Sequence, residues 1–245
     1  DGKYSAANPD DEMKIDLENI DLEYIFTSLA IDALNFGGRA TGTLLCSNVD
    51  GSPYANVNLK VDDFKFNNTN LGLLNLYSEV DEKEKKVNMK GTILDKDSRL
   101  TNIDGFINPL TQELSMHFDA DKIDIAFLNK YASSLFNNVT GQGTGKVHLY
   151  GNFSKVTIEG KAFIEEGSLG INFLNTRYSF TDTVYLKKDL IYFNEVTFYG
   201  QNKSEAKVSG KVAHDFFSDF MCYVELHGND FMLYNASEQL NPMFF

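Results

Sequence analysis

Apolar and polar residues alternate with period two over most of this chain, the pattern of strands that bury one face. Ala55, Val57, Leu59 and Val61 share one phase, while Asn56, Asn58, Lys60 and Asp62 share the other. The alternation returns in Leu114, Met116, Phe118 and Ala120, in Ile158, Gly160, Ala162 and Ile164, in Ala206, Val208, Gly210 and Val212, and in Cys222, Val224 and Leu226. Polar breakers separate these runs: DGSP at 50–53, NNTN at 67–70, DEKEKK at 81–86, DKDS at 95–98, NPLTQ at 108–112, EEGS at 165–168 and GQNKSE at 200–205. Connections this short join antiparallel neighbours, because a parallel pair needs a crossover of roughly a dozen residues or more. A mainly β chain, an antiparallel meander of hairpins, is expected.

Two segments depart from the alternation. In DLEYIFTSLAIDALN the residues Leu22, Ile25, Phe26, Leu29 and Ala33 recur at helical spacing behind Asp21, a residue suited to cap the first free N–H groups. In DIAFLNKYASSLFNN the set Ile125, Leu128, Ala132, Leu135 and Phe136 does the same behind Asp124. The segments are equivalent: Asp21 aligns with Asp124, Gly38 with Gly141, Thr41 with Thr144 and Gly42 with Gly145 at one constant offset, and NLGL at 70–73 aligns with SLGI at 168–171. The chain therefore reads as two tandem repeats, about 15–120 and about 121–245, each a short helix followed by a run of strands.

The glycines of GRATG and GQGTG do not form a phosphate loop. A P-loop places its glycines between a strand and a helix, and here they follow a helix and lead into a strand. Val147 stands where Ser or Thr would hold magnesium, and in the first copy Thr43 stands where the lysine should be. The reading is structural: Gly38 and Gly141 end the helices in a left-handed conformation, and Gly42 and Gly145 release the backbone into the next strand.

Composition narrows the partners. The formal net charge of -13 over 245 residues argues against nucleic acid, whose binding rests on Lys and Arg neutralising phosphates. An anionic membrane surface should repel such a chain as a whole. Cys46 and Cys222 lie far apart in no metal-like or CxxC spacing, and His117, His148, His214 and His227 are scattered, so neither a metal nor another cofactor is expected. No G-x-S-x-G is present, and the acidic doublets Asp62-Asp63 and Glu165-Glu166 are expected to be solvated turn residues rather than the acid–base pair of a glycan-cleaving enzyme. N-x-[ST] occurs at Asn67, Asn138, Asn152, Asn202 and Asn235, a weak sign in so Asn-rich a chain. No stretch approaches the roughly 20 apolar residues that span a bilayer. The aromatic end LNPMFF reads as a cut within a longer chain.

An antiparallel sheet must cover its apolar face with helices, a second sheet or a ligand. Two short helices cannot cover about twelve to fourteen strands, which at about 4.8 Å spacing extend roughly 60 Å. An elongated, curved antiparallel sheet folded into a groove would leave its interior for apolar ligands. The candidate lining residues are Val57, Leu59, Val61, Leu114, Met116, Phe118, Ile158, Ile164, Val208, Val212, Val224 and Leu226. A self-filled core would use the same residues.

The segments GTGKVHLYGNFSKVTIEGKAFIEEGSLGINFLNTRYSF and VSGKVAHDFFSDFMCYVELHGNDFMLYN carry a resemblance. The glycine pair after the helix, Tyr178 with Asp182, and G-x-[IV]-x-H-x-x-F at Gly210, Val212, His214 and Phe217 resemble the translocation and assembly module (TamB) family of the AsmA-like group, in the form found in Bacteroides-type bacteria. In place of the acidic residue that the family tends to carry in the turn before AKVSG, this chain has FYGQNKSE. The resemblance implies a long periplasmic protein anchored in the inner membrane by a helix outside this sequence. It also implies a taco-like β-groove, with phospholipid acyl chains and an outer-membrane β-barrel protein as partners and no catalytic residues. Two rival expectations remain, a module that pairs with client β-strands and an extracellular glycan-binding β-sandwich.

Overall fold

A computed structural model describes residues 13–24, 35–49, 52–152, 155–201, 203–216 and 218–235. The chain is mainly β. Thirteen strands follow one another: β1 (Met13–Asp21), β2 (Phe36–Val49), β3 (Ser52–Phe66), β4 (Thr69–Asp81), β5 (Lys86–Leu94), β6 (Leu100–Asn108), β7 (Glu113–Asp124), β8 (Phe136–Asn152), β9 (Lys155–Ile171), β10 (Thr176–Lys187), β11 (Leu190–Gly200), β12 (Glu205–Asp215) and β13 (Ser218–Gly228). They form one sheet in sequence order, each strand hydrogen bonded to its neighbours in the chain.

The breakers read from sequence at NNTN, DEKEKK, DKDS, NPLTQ and GQNKSE fall at hairpin ends. Asn67 and Asn68 both take positive φ, 47° and 68°, as a two-residue hairpin loop of the primed type demands. EEGS is different. It lies inside β9, and the turn that closes this strand spans residues 172–175. Glu166 has φ 50°, and the register with β10 slips between Phe180 and Asp182, so the polar run marks a β-bulge. Asp63, its counterpart in the first repeat, has φ 51° where the β3–β4 register slips between Val61 and Phe64. Both acidic doublets are thus bulge residues of equivalent strands.

The second predicted helix is shorter than its periodicity suggests. A 3-10 turn over Ile125–Leu128 passes into an α-turn over Asn129–Ala132; Leu135 lies beyond it and Phe136 opens β8. The serines that follow favour local side-chain bonds over a further helical turn, and Ser133 Oγ donates to Lys130 O at 3.5 Å. Asp124 caps the segment as expected, its Oδ1 accepting from Ala126 N at 2.8 Å. Asp21 Oδ1 likewise accepts from Glu23 N at 3.1 Å, and residues 22–24 are helical. The rest of the first predicted helix, with Ile25, Phe26, Leu29 and Ala33, lies outside the described residues.

The four glycines read as helix ends and strand openers lie inside strands, Gly38 and Gly42 in β2 and Gly141 and Gly145 in β8. Their φ values pair across the repeat: 119° and 132° for Gly38 and Gly141, 154° and 158° for Gly42 and Gly145. A Cβ at Gly42 would stand 2.0 Å from Asn58 O, and one at Gly145 would stand 2.2 Å from Lys161 O, the equivalent atom of the second copy. The close approach of the next strand's backbone, rather than the end of a helix, requires glycine here.

The chain divides into two compact units, residues 1–123 with 146–158, and residues 124–145 with 159–245. The division follows the sequence repeat except at the tip of the β8–β9 hairpin, which belongs with the first unit. There His148 stacks on His117 at 4.1 Å with ring planes 4° apart, and its Nε2 lies 2.8 Å from Ser115 Oγ.

Candidate functional site

In the first unit the strand register gathers the apolar phase onto one face. Val61 lies opposite Leu74, Leu74 opposite Ile93, and Ile93 opposite Thr101, and all four are buried. The next rung runs through Leu59, Leu76, Gly91, Ile103 and Phe118, all half-buried. Beyond it Ser78, Met89, Gly105 and Met116 form a third rung, and Val57 joins it by donating its N–H to Ser78 Oγ at 2.9 Å. Leu114 closes the fourth, opposite Ile107, which faces Val87. The opposite phase is polar: Asn58, Tyr77, Lys90, Asp104 and His117 face one another in order.

An open hollow of about 510 Å³ crosses β3 to β6 at the second rung, lined by Leu59, Leu76, Gly91 and Ile103 together with polar-phase residues such as Asn58, Tyr77, Lys90 and Asp104. Gly91 leaves the rung one side chain short between Leu76 and Ile103. Leu76 leans into that space, its Cδ1 3.2 Å from where a Cβ on Gly91 would stand, and the half-buried leucines and isoleucine keep apolar surface in contact with water, at roughly 25 cal/mol per Å² relative to covering it.

The second unit treats its apolar face differently. Ile125, Val139 and Ile164 form a buried cluster joined by Ala132, Phe136, Ala162, Leu169, Phe180 and Val184, so the short helical segment lies on the strands it precedes. Asn129 fixes it there: Nδ2 donates to Ala126 O and Val139 O, and Oδ1 accepts from Val139 N, each at 2.8 Å. An aromatic row continues along the face. Phe180 and Phe198 approach to 5.2 Å, Phe193 and Phe198 to 5.9 Å, and Tyr178 and Phe198 to 6.1 Å between ring centres. Glycines make the room, since a Cβ at Gly210 would meet the Phe193 ring and one at Gly167 the Phe180 ring.

The chain after β13 closes one end of this row. Phe231 stacks on Tyr178 at 5.0 Å, the Tyr178 hydroxyl donates to Met232 O at 2.7 Å, and Asn235 N donates to Leu174 O at 3.0 Å. Burial holds the Tyr178 hydroxyl above its ordinary pKa, so it remains a donor.

Of the twelve residues singled out from sequence, Val61, Ile164, Val208 and Val212 are buried. Val57, Leu59, Leu114, Met116, Phe118, Ile158 and Leu226 are half-buried, and Val224 on β13 is 59% exposed. The register joins the first-unit residues Val57, Leu59, Val61, Leu114, Met116 and Phe118 on one face, and in the second unit it sets Val208 opposite Leu226. Leu76, Ile103 and the ring row of Phe180, Phe193 and Phe198 were missed. In β6 the inward phase reads Thr101, Ile103, Gly105, Ile107, too mixed to stand out. In β11 a bulge between Phe193 and Val196 breaks the alternation of LIYFNEVTF.

His214, part of the motif carried by the resemblance, is buried at 5% exposure, and Phe217 lies outside the described residues. Burial drives the His214 pKa below its ordinary value against the opposing pull of Asp189 and Asp215. The histidines are scattered in sequence, but the fold brings His117, His148 and Tyr150 into one stack, Tyr150 lying 4.6 Å from His148. Among the described residues no group of three or more His, Cys, Asp or Glu could hold a metal ion, and no helix is long and apolar enough to cross a membrane.

No protein-family model, no curated protein and no solved structure matches this chain.

Proposed function

We propose that this chain is a non-enzymatic segment of a periplasmic envelope protein of the AsmA-like kind, and that the apolar face of its first unit receives phospholipid acyl chains. The observation that carries the reading is the half-buried rung Leu59, Leu76, Ile103 and Phe118, of which the first three border the open hollow with Gly91. An acyl chain lying across the strands removes the same apolar surface from water that a self-filled core would remove, at about 0.8 kcal/mol per buried methylene. The motifs that resemble the TamB family set this occupant in the transfer of phospholipid between inner and outer membranes and/or in support of outer-membrane protein assembly.

Photocrosslinking side chains placed at Leu76, Ile103 and Met116 in the cell test it. Phospholipid adducts at these positions, with none at Glu79 or His117 on the opposite phase and away from the hollow, are the expected result. Adducts with protein alone would sink the reading. A second reading, pairing with a client β-strand, draws on the outer edge of β13, the last strand in the sheet order. Proline within β13 would abolish such pairing and leave acyl-chain capture intact.

A further inference from the structure

The last strand, β13, is the third occurrence of a strand whose other two occurrences have a neighbour on the following side. β1 and β7 both run into a capping aspartate, Asp21 and Asp124, and both carry a residue of positive φ two places before it, Asn19 at 53° and Lys122 at 52°. β13 runs into Asp230, and Asp230, Phe231 and Asn235 keep the spacing of Asp124, Ile125 and Asn129. The register agrees, since Val224 lies opposite Gly210 on β12 as Phe118 lies opposite Ile103 on β6. Met13, Met116 and Cys222 are therefore equivalent, as are Ile15, Phe118 and Val224, and Leu17, Ala120 and Leu226.

The equivalents differ in what lies beyond them. β1 is followed in the sheet by β2 and β7 by β8, and the apolar-phase residues of both strands are half-buried. β13 has no strand beyond it among the described residues; Leu226 is half-buried, but Cys222 is exposed and Val224 is 59% exposed. The edge is also unguarded. β1, the other outer strand, places Lys14, Asp16 and Glu18 at alternate positions, and its register slips between Leu17 and Ile20, features that discourage pairing. β13 keeps an unbroken register on β12 from Met221 to Gly228. Glu225 is the one carboxylate in that span, and His227 Nε2 engages it at 3.0 Å.

The occupied seat at β1 shows what fits. β2 runs antiparallel to β1 and sets Gly42 opposite Leu17, Leu44 opposite Ile15 and Cys46 opposite Met13. Transferred to β13, the same strand sets a glycine against Leu226, a leucine against Val224 and a cysteine against Cys222. We propose that the outer edge of β13 receives an antiparallel strand of a partner polypeptide in this register, its alternate residues small, apolar and apolar over Leu226, Val224 and Cys222. This pairing rests on the client-strand reading of the same edge and fixes the client's orientation, register and side-chain pattern. Backbone N–H and C=O groups of β13 supply the affinity, and its uncovered apolar phase selects the side chains.

A peptide of the β2 sequence, residues 37–48, tests it against the 245-residue chain carrying Cys46→Ser, in which Cys222 is the one thiol. With diamide as the oxidant that takes up the two thiol hydrogens, the peptide's Cys46 joins Cys222, because directly opposed residues stand about 4.5–5.5 Å apart between Cα atoms, within the span of a disulfide. A peptide with its thiol moved one place, Leu45→Cys with Cys46→Ser, turns it to the other face of the sheet and forms the bond roughly tenfold more slowly or worse. Hydrogen exchange shows the peptide protecting β13 amides, and Leu44→Asp in the peptide, which sets a carboxylate over Val224, raises the concentration needed for half-protection roughly tenfold or more. These changes lie in the peptide, so the chain folds alike in every arm. Protection of β13 with equal disulfide rates for the two thiol positions, or with no effect of Leu44→Asp, would overturn the register and leave the client-strand reading standing. Absence of protection would overturn both. A Cys222–Cys222 disulfide that excess peptide does not suppress would put a second copy of the chain on this edge and overturn the proposal.

Discussion

Asn129 satisfies both backbone groups of Val139 through one side-chain amide, accepting from its N–H and donating to its C=O at 2.8 Å. The short helical segment is thereby tied to β8, the strand it leads into. Removing the amide strands two part-buried backbone groups, each costing about 1–3 kcal/mol when left unmade. Asn129→Ala should therefore lower stability by roughly 2–4 kcal/mol in urea unfolding. Asn129→Asp should be at least as damaging, because a carboxylate would face the Ala126 and Val139 carbonyls that Nδ2 now contacts.

Glycine substitutions distinguish a strained site from a permissive one within a single strand. Gly42→Ala and Gly145→Ala place a Cβ within 2.0 and 2.2 Å of a neighbouring carbonyl oxygen at positive φ, and each should cost roughly 2 kcal/mol or more. Gly37→Ala meets nothing closer than 3.5 Å and should be neutral or slightly stabilising by reducing the entropy of the unfolded chain. Equal losses at all three positions in thermal unfolding would contradict the repeat-specific close approach.

The depressed pKa of His214 gives stability a pH dependence of definite sign. Above the unfolded value near 6.5 the imidazole is neutral in both states and its contribution is unaffected. As pH falls through that value the unfolded chain takes up a proton that the buried ring resists, and stability declines until the lower folded pKa is reached. His214→Gln should flatten this part of the curve of urea midpoint against pH, whatever it does to the midpoint at neutral pH.

Tyr178→Phe keeps the ring that stacks on Phe231 and removes the hydroxyl that bonds Met232 O. The expected loss is about 1 kcal/mol. Its location is more telling than its size: limited proteolysis should cleave faster within residues 229–235, with the β10–β12 strands still protected. Unchanged cleavage would mean that the stacked ring and the Asn235–Leu174 bond suffice to hold this segment.

The fold was largely legible because period-two alternation survives wherever a strand is regular, as in AKVSGKVAH, and because turn residues such as Asn67-Asn68 announce their own geometry. It failed where a bulge resets the phase. EEGS looked like a turn because a bulge and a loop both favour polar residues able to adopt positive φ, and Glu166 does so inside a strand. The helix was overextended for a different reason: Phe136 matches both the helical period and the first position of β8, and Ser133 and Ser134 decide against further turns. The repeat was readable from aligned glycines, but their role was not, since the backbone oxygens of Asn58 and Lys161 that crowd them are set by the register of the next strand.

The candidate site was legible only in part. Val57, Leu59, Leu114, Met116 and Phe118 announced one apolar face, while the order of its rungs depends on the offset between strands, which alternation alone does not encode. Val61 and Ile164 carry the same signal as Leu59 yet lie buried, Ile164 because the helical segment packs against it.

Because every strand pairs only with those immediately before and after it, each new segment emerging from the ribosome or a secretion channel already has its docking partner in place. Assembly can advance like a zipper from one end, without waiting for distant parts of the chain. The same wiring allows a gene to grow by copying a helix and six strands in tandem: the added block needs only a compatible terminal strand on which to begin.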